Sequence, residues 1–271
     1  MDLDRGRDRR SGSGWSRRNR REGETDGGRA PPRRNHRHTD HHLGASMKLF
    51  FFLSICAWAQ LEQPRIGVML DSSGVARPIF GVSASVTRGD ALVNGVTSMA
   101  CARRTCAAKT AHAIVTWDAS RQTTQPAPDA PALFAFSKDA VYIYCAGQLT
   151  RNGESVPLNV TGEILAMRFA AGAFEFAVRR DDGVWIVRDN DVAIAAIADA
   201  TGPVILLRGG LLFGSGDETV LRRADASEVR FPIHADAFIA MGEGYVQIRS
   251  GSASYALRIA TETVFQLPEA P

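Results

Sequence analysis

The groups in this chain that could do chemistry are few: six histidines, four cysteines and a scatter of carboxylates. His36, His38, His41 and His42 crowd into the first 46 residues, where a His-rich tract could in principle hold a metal. Beyond residue 60 there remain His112 and His234. A serine-histidine-aspartate arrangement would need one of them, and no Gly-x-Ser-x-Gly elbow is present. His112 follows Ala111 at the expected start of a strand and reads as structural. Cys101 and Cys106 stand as Cys-Ala-Arg-Arg-Thr-Cys between two strand-like runs, Val96–Ala100 and Ala107–Val115. Four intervening residues suit a hairpin loop, and in an exported protein the default for such a pair is a structural disulfide. A zinc site would need more ligands nearby, and a redox pair usually has two residues between its cysteines. Cys145 lies in an apolar run and reads as a buried small hydrophobe.

The paired carboxylates Asp181-Asp182 and Asp189/Asp191 fall in turns, where aspartate is favoured for its bonds to the backbone. Arg179-Arg180 and Arg222-Arg223 occupy corresponding places in consecutive units and could form an anion-binding ring; solvated strand ends are the plainer reading. No catalytic residue, metal ligand or cofactor is assigned.

The elements that must position these groups are strands. No window of 11 or more residues keeps a helical period, and Gly, Asp-Gly or Gly-Ser interrupts the chain every several residues. A unit recurs instead. It opens with an apolar run: Ala132–Phe136, Ile164–Phe169, Val204–Leu207, Phe238–Met241. A second run follows a tight turn: Val141–Tyr144, Phe174–Val178, Leu211–Phe213, Tyr245–Ile248. A third comes after a further turn: Val184–Arg188, Thr219–Arg223, Tyr255–Ile259. A fourth closes the unit: Val192–Ile197, Glu228–Phe231, Thr263–Leu267. Starts near Val96, Ala132, Ile164, Val204 and Phe238 are about 30–40 residues apart, a spacing typical of repeat architectures.

Within each unit the first run is apolar on both faces, as a strand buried between sheets must be. In the later runs Val246 and Ile248 can face in while Gln247 and Arg249 face out. The fourth suits a solvent-facing edge. Ile66–Val93 offers further runs, either a sixth unit or strands lent to the last, and Pro78 favours an edge position there. Gln122–Pro131 reads as a long loop.

On these runs the chain from about Ile66 to Leu267 resembles the β-propeller superfamily, in a small form with divergent repeats. The resemblance implies an all-β fold of five or six four-stranded blades around a central channel. No WD dipeptide, kelch glycine pair or aspartate-box motif stands in the sequence, so no functional residue carries over. In a propeller the loops from one blade's outer strand to the next blade's inner strand converge at one mouth of the channel. Here those loops hold Asp199 and Thr201, then His234 and Asp236, with Asn159 and Glu163 further round. Asp199, His234 and Asp236 are therefore the candidate ligand-binding residues.

Met47–Gln60, MKLFFFLSICAWAQ, has the layout of a secretory signal peptide: Lys48, an apolar stretch Leu49–Cys56, and a small-x-small site Ala57–Ala59. Its apolar core is shorter than the roughly 20 residues of a membrane-spanning helix. Cleavage is expected between Ala59 and Gln60, and Ile55 before Cys56 argues against a lipid anchor. Residues 1–46 carry twelve Arg, no Lys and seven acidic residues; disorder is expected there, and Met47 is read as the true start. The whole chain has 32 basic and 29 acidic residues. Removing twelve Arg, Lys48 and seven acidic residues leaves 19 against 22 from residue 60 onward, a net charge of −3. That balance, with Arg dispersed among Asp and Glu, speaks against nucleic acid. The expectation is a secreted or periplasmic monomer of residues 60–271 without a membrane span, a non-enzymatic binding module for a protein or small-molecule partner. The alternative is a secreted hydrolase or lyase using acidic residues at the channel mouth on a carbohydrate-like substrate.

Overall fold

Short apolar runs cut by glycine-containing turns can satisfy their backbone groups only by pairing with neighbours, and they do so as antiparallel meanders. A computed structural model of the protein describes residues 64–269. The extension 1–46, the segment 47–59 and the cleavage site lie outside the described residues.

Arg65–Leu70 (β1), Ala76–Val82 (β2) and Ser85–Arg88 (β3) form a three-stranded sheet. Next come Val96–Ala102 (β4), Thr105–Thr110 (β5), Ala113–Trp117 (β6) and Gln122–Pro126 (β7). The following unit is Ala132–Phe136 (β8), Val141–Cys145 (β9), Gln148–Arg151 (β10) and Glu154–Val156 (β11). Glu163–Ala170 (β12), Ala173–Arg180 (β13), Gly183–Arg188 (β14) and Val192–Ile197 (β15) follow, with a single 3-10 turn, Asp189–Asp191, before β15. Val204–Leu207 (β16), Gly210–Ser215 (β17), Glu218–Arg223 (β18) and Glu228–Phe231 (β19) make the next unit. The last is Ala237–Gly242 (β20), Tyr245–Ser250 (β21), Ala253–Arg258 (β22) and Thr263–Gln266 (β23).

The fold is an all-β propeller. β8–β11, β12–β15 and β16–β19 are separate four-stranded sheets, and an eight-stranded sheet runs β23-β22-β21-β20-β4-β5-β6-β7. The propeller therefore has four blades, one of them double, and not the expected five or six. The repeat period separates the units starting at Val96 and Phe238, yet their first strands join in parallel through Met241 and Cys101. Gly67 of β1 lies on this seam, where a Cβ would come within 2.4 Å of the Met241 carbonyl oxygen.

Apolar clusters fill the gaps between neighbouring units. Phe176 and Val178 meet Tyr142 and Leu149, while Ala177, between them in sequence, packs with Ile197 and Phe213 on the other side. The second strands are thus the most buried, serving two gaps at once. The expectation that burial is greatest in the first strand is corrected: that strand turns one face to the channel. Gln247 also departs from expectation. It is buried, not outward, because β1 covers it and bonds to it.

Three further expectations change. The run Ala107–Val115 is two strands broken at Ala111-His112, and Gln122–Pro126 in the expected loop is an outer strand. Pro78 lies in β2, the middle strand of its sheet, not at an edge. Its missing N–H does no harm: β3 ends at Arg88, and beyond it Gly89 N–H donates to the Pro78 carbonyl at 2.9 Å.

Candidate ligand site at the channel mouth

The first strands β4, β8, β12, β16 and β20 surround a central cavity of about 180 Å³. Its wall is apolar, with Leu133, Leu165, Ile205 and Phe238 contributed by four strands; Thr97, Ser98 and Arg249 add polar groups, and no carboxylate lines it. The Ser98 hydroxyl is already committed, donating to the Ala132 carbonyl at 2.8 Å and accepting from the Ala132 N–H at 3.1 Å. It stitches β4 to β8 and is not a free nucleophile.

His234 and Asp236 lie in the loop from β19 to β20, directly before the channel-lining residue Ala237. The structure brings these two together: His234 Nε2 is 3.3 Å from Asp236 Oδ1. His234 Nδ1 lies 3.0 Å from the Gly216 carbonyl. A carbonyl can only accept, so Nδ1 carries the proton of that bond, and the other ring nitrogen faces the carboxylate. Asp236 is held in turn by the Gly251 N–H, at 2.6 Å from Oδ2, and its own N–H donates to the Arg249 carbonyl at 2.8 Å. Thr201 braces the same turn, its hydroxyl accepting from the Gly216 N–H at 2.8 Å.

Asp199 belongs to a different group. It pairs with Arg222 and Arg230, each at 3.3 Å, and these arginines also engage Glu228 and Glu218. The hydrogen bonds that Arg230 donates to Glu218 and then to Glu228 raise its pKa further above its already high range. Glu163 faces Arg179 at 3.6 Å. None of Asp199, His234 and Asp236 lines the cavity itself.

The arginine pairs do not form an anion-binding ring. Arg179-Arg180 ends the second strand of its unit and Arg222-Arg223 the third, so they lie at opposite ends of their blades. Each is matched by a carboxylate: Arg180 by Asp191, Arg222 by Glu228, Arg223 by Glu262. Cys101 and Cys106 are joined as expected, directly opposite each other in the β4–β5 ladder with Cα atoms 4.0 Å apart. Cys145 is a buried free thiol. His112 is exposed in the turn between β5 and β6. The turn carboxylates act on the backbone and side chains around them, Asp189 accepting from the Phe174 N–H and Asp182 from the Trp185 indole.

Arg249 is the group that the sequence pattern missed. It was placeable in principle: it lies two residues from Gln247 and so shares its face of β21, which becomes an interior face once β1 is laid across it. Among the described residues no carboxylate lies within ion-pairing distance of its guanidinium. Nor does any set of three or more His, Cys, Asp or Glu among them form a metal-binding cluster, and no helix among them is long and apolar enough to cross a membrane.

No protein-family model and no curated protein sequence matches the chain. Several solved structures are similar to it over part of their length. PorZ of Porphyromonas gingivalis, described as an essential bacterial surface component of the type-IX secretion system, is 16% identical with a TM-score of 0.45. The match covers 75% of this chain and 31% of that one, so the chain spans about a third of PorZ's length. Apo AztD from Citrobacter koseri is 10% identical, TM-score 0.39, over 75% of this chain and 74% of its own. Hsv2 of Kluyveromyces lactis is 11% identical, TM-score 0.38, over 73% and 75%. At these values none of the three likenesses bears on function.

Proposed function

We propose that this protein is an exported, non-enzymatic binding module whose ligand enters the central channel at the mouth carrying His234 and Asp236. One observation carries the reading. A mainly apolar cavity is lined by Ala237, the residue that follows a paired imidazole and carboxylate, both exposed: their side chains keep 56% and 51% of their accessible surface. Apolar cavities with a few convergent polar groups are the usual form of small-molecule sites. Asp199, held between two arginines, contributes to the charge of the outer rim. Export is supported by the signal-like segment Met47–Gln60 and by the Cys101–Cys106 disulfide, which persists in oxidising compartments. The hydrolase or lyase alternative asks for two carboxyls facing each other across the channel, and the cavity lining supplies none.

The test is a binding screen on the purified protein with small apolar and amphiphilic probes, followed by NMR of channel-lining signals. Ligands should perturb Ala237 and Phe238 signals and bind at least ten-fold more weakly to the folded double variant His234→Ala/Asp236→Ala. Undiminished binding by that variant, or a ligand seated at a blade edge, overturns the reading.

A further inference from the structure

From the guanidinium of Arg249, unpartnered among the described residues, in a mainly apolar, carboxylate-free channel, we infer that the channel selects small anionic amphiphiles, an apolar body of about benzene's size ending in a carboxylate. The inference rests on the channel-binding reading above and names the chemistry of what binds.

Charge is the first part of the argument. Arg249 is the one charged residue of the cavity lining. Elsewhere in the domain, arginines next to carboxylates are neutralised by them: Arg77 by Asp71, Arg168 and Arg188 by Glu175, Arg222 and Arg230 by Asp199 and Glu228. Asp236, whose N–H donates to the Arg249 carbonyl, has its carboxylate engaged elsewhere, one oxygen facing His234 and the other held by the Gly251 N–H. Arg249 is half-buried, and among the described residues no acceptor group answers the five donors of its guanidinium. Such a group favours a planar anion that can take two parallel N–H bonds, as a carboxylate does.

Size and shape give the second part. An apolar cavity of about 150 Å³ accommodates benzene, and this one measures about 180 Å³. Its walls, Leu133, Leu165, Ile205 and Phe238, offer contact and no competing hydrogen bonds. Position gives the third. Arg249 pairs with Ala237 at the mouth end of β20, so an anion bound there leaves the apolar body pointing down the channel. A cation would meet Arg249 as a like charge and find no carboxylate in the wall.

Benzoate, benzamide and benzylamine test this as anionic, neutral and cationic probes of one shape, titrated into the full protein by calorimetry and by NMR of the lining residues. Benzoate should bind at least ten-fold more tightly than benzamide, benzylamine should not bind, and added salt should weaken benzoate alone. Arg249→Gln should erase the difference between benzoate and benzamide, while Arg249→Lys keeps part of it. Ala240→Trp, which fills the channel, should abolish binding of both. Benzamide binding as tightly as benzoate, with both displaced by Ala240→Trp, overturns the role of Arg249 and leaves the channel as the site. Perturbations confined to residues outside the channel overturn both readings. Should Arg249→Gln fail to fold, the three-probe comparison and its salt dependence on the unmodified protein decide the matter.

Discussion

The side-chain amide of Gln247 holds the peptide groups of Leu70 from both sides: its oxygen accepts the Leu70 N–H at 2.9 Å, and its nitrogen donates to the Leu70 carbonyl at 2.8 Å. The second N–H of the amide reaches the Ser254 hydroxyl at 3.0 Å. Gln247 thus does for β1 what a neighbouring strand would do, and it does so without solvent. Gln247→Leu keeps the volume but leaves two backbone groups of Leu70 unpaired. We expect a loss of about 2–4 kcal/mol in urea unfolding. Gln247→Glu should also destabilise at neutral pH, because a carboxylate cannot donate to the Leu70 carbonyl.

The acid response should centre on Asp71 and Glu175. Burial alone would raise the Asp71 carboxyl, but bonds from the Ser73 hydroxyl, the Val75 N–H and Arg77 outweigh it and hold the pKa below the ordinary range. Glu175 follows the same pattern, with Arg188 and Arg168 overcoming burial. In both cases the unfolded chain takes up the proton first. Their stabilising contribution is therefore complete above the unfolded carboxylate range near pH 4, and is lost as pH falls through the lower folded values. Unfolding midpoints measured between pH 7 and 2 should drop on the acid side. Asp71→Asn and Glu175→Gln should each lower stability at pH 7 and flatten that acid slope.

Thiol counting tests the cysteines and the export signal together. A protein cleaved between Ala59 and Gln60 retains Cys101, Cys106 and Cys145, and with the first two joined it should titrate one thiol after denaturation. Retention of Cys56 would give two. Closing so short a loop is worth about 2 kcal/mol. The double substitution of Cys101 and Cys106 by Ser should lower stability by no more than that and leave the propeller folded by circular dichroism.

The seam between β20 and β4 should tolerate no added bulk. Gly67 has φ of +156°, and a Cβ there would stand 2.4 Å from the Met241 oxygen and 2.9 Å from its Cβ. Gly67→Ala forces the strand off Met241, whose partner across the parallel bridge is Cys101. The expected cost is about 1–3 kcal/mol, read as a lower melting temperature. Gly147→Ala, whose Cβ would meet nothing within 4 Å, serves as the control for left-handed backbone strain alone.

Much of the strand content was legible because strand boundaries here are written in local chemistry. Ala132–Phe136, Val192–Ile197, Val204–Leu207 and Glu228–Phe231 are strands with the bounds that composition suggests, and the Cys101/Cys106 hairpin follows from spacing. What escaped notice depends on partners distant in the chain. Gln247 looks like a solvent-facing residue until β1 covers it, and Arg249 shares its fate. The number of blades depended on whether β20 pairs with β4 across some 140 residues, which no local pattern records. Lys109, fully buried with its ammonium bonded to the Thr110 and Ala111 carbonyls, hid the break between β5 and β6 inside an apolar-looking run. Of the candidate site, adjacency of His234 and Asp236 followed from their sharing one loop, whereas Asp199 was drawn away by the arginines of a neighbouring ladder.

Leu70 and Gln247 are separated by 177 residues, and this has a consequence for the order in which the protein is made. A chain emerging from its N-terminus presents β1 long before the residue that receives it. Until then Val68, Met69 and Leu70, all buried in the finished fold, remain an apolar strand without its final partner. The units between can assemble from nearby contacts as they appear, but the clasp shuts when β21 arrives. Contacts of such long range form slowly, and the waiting strand is the part most exposed to mispairing or capture by a chaperone.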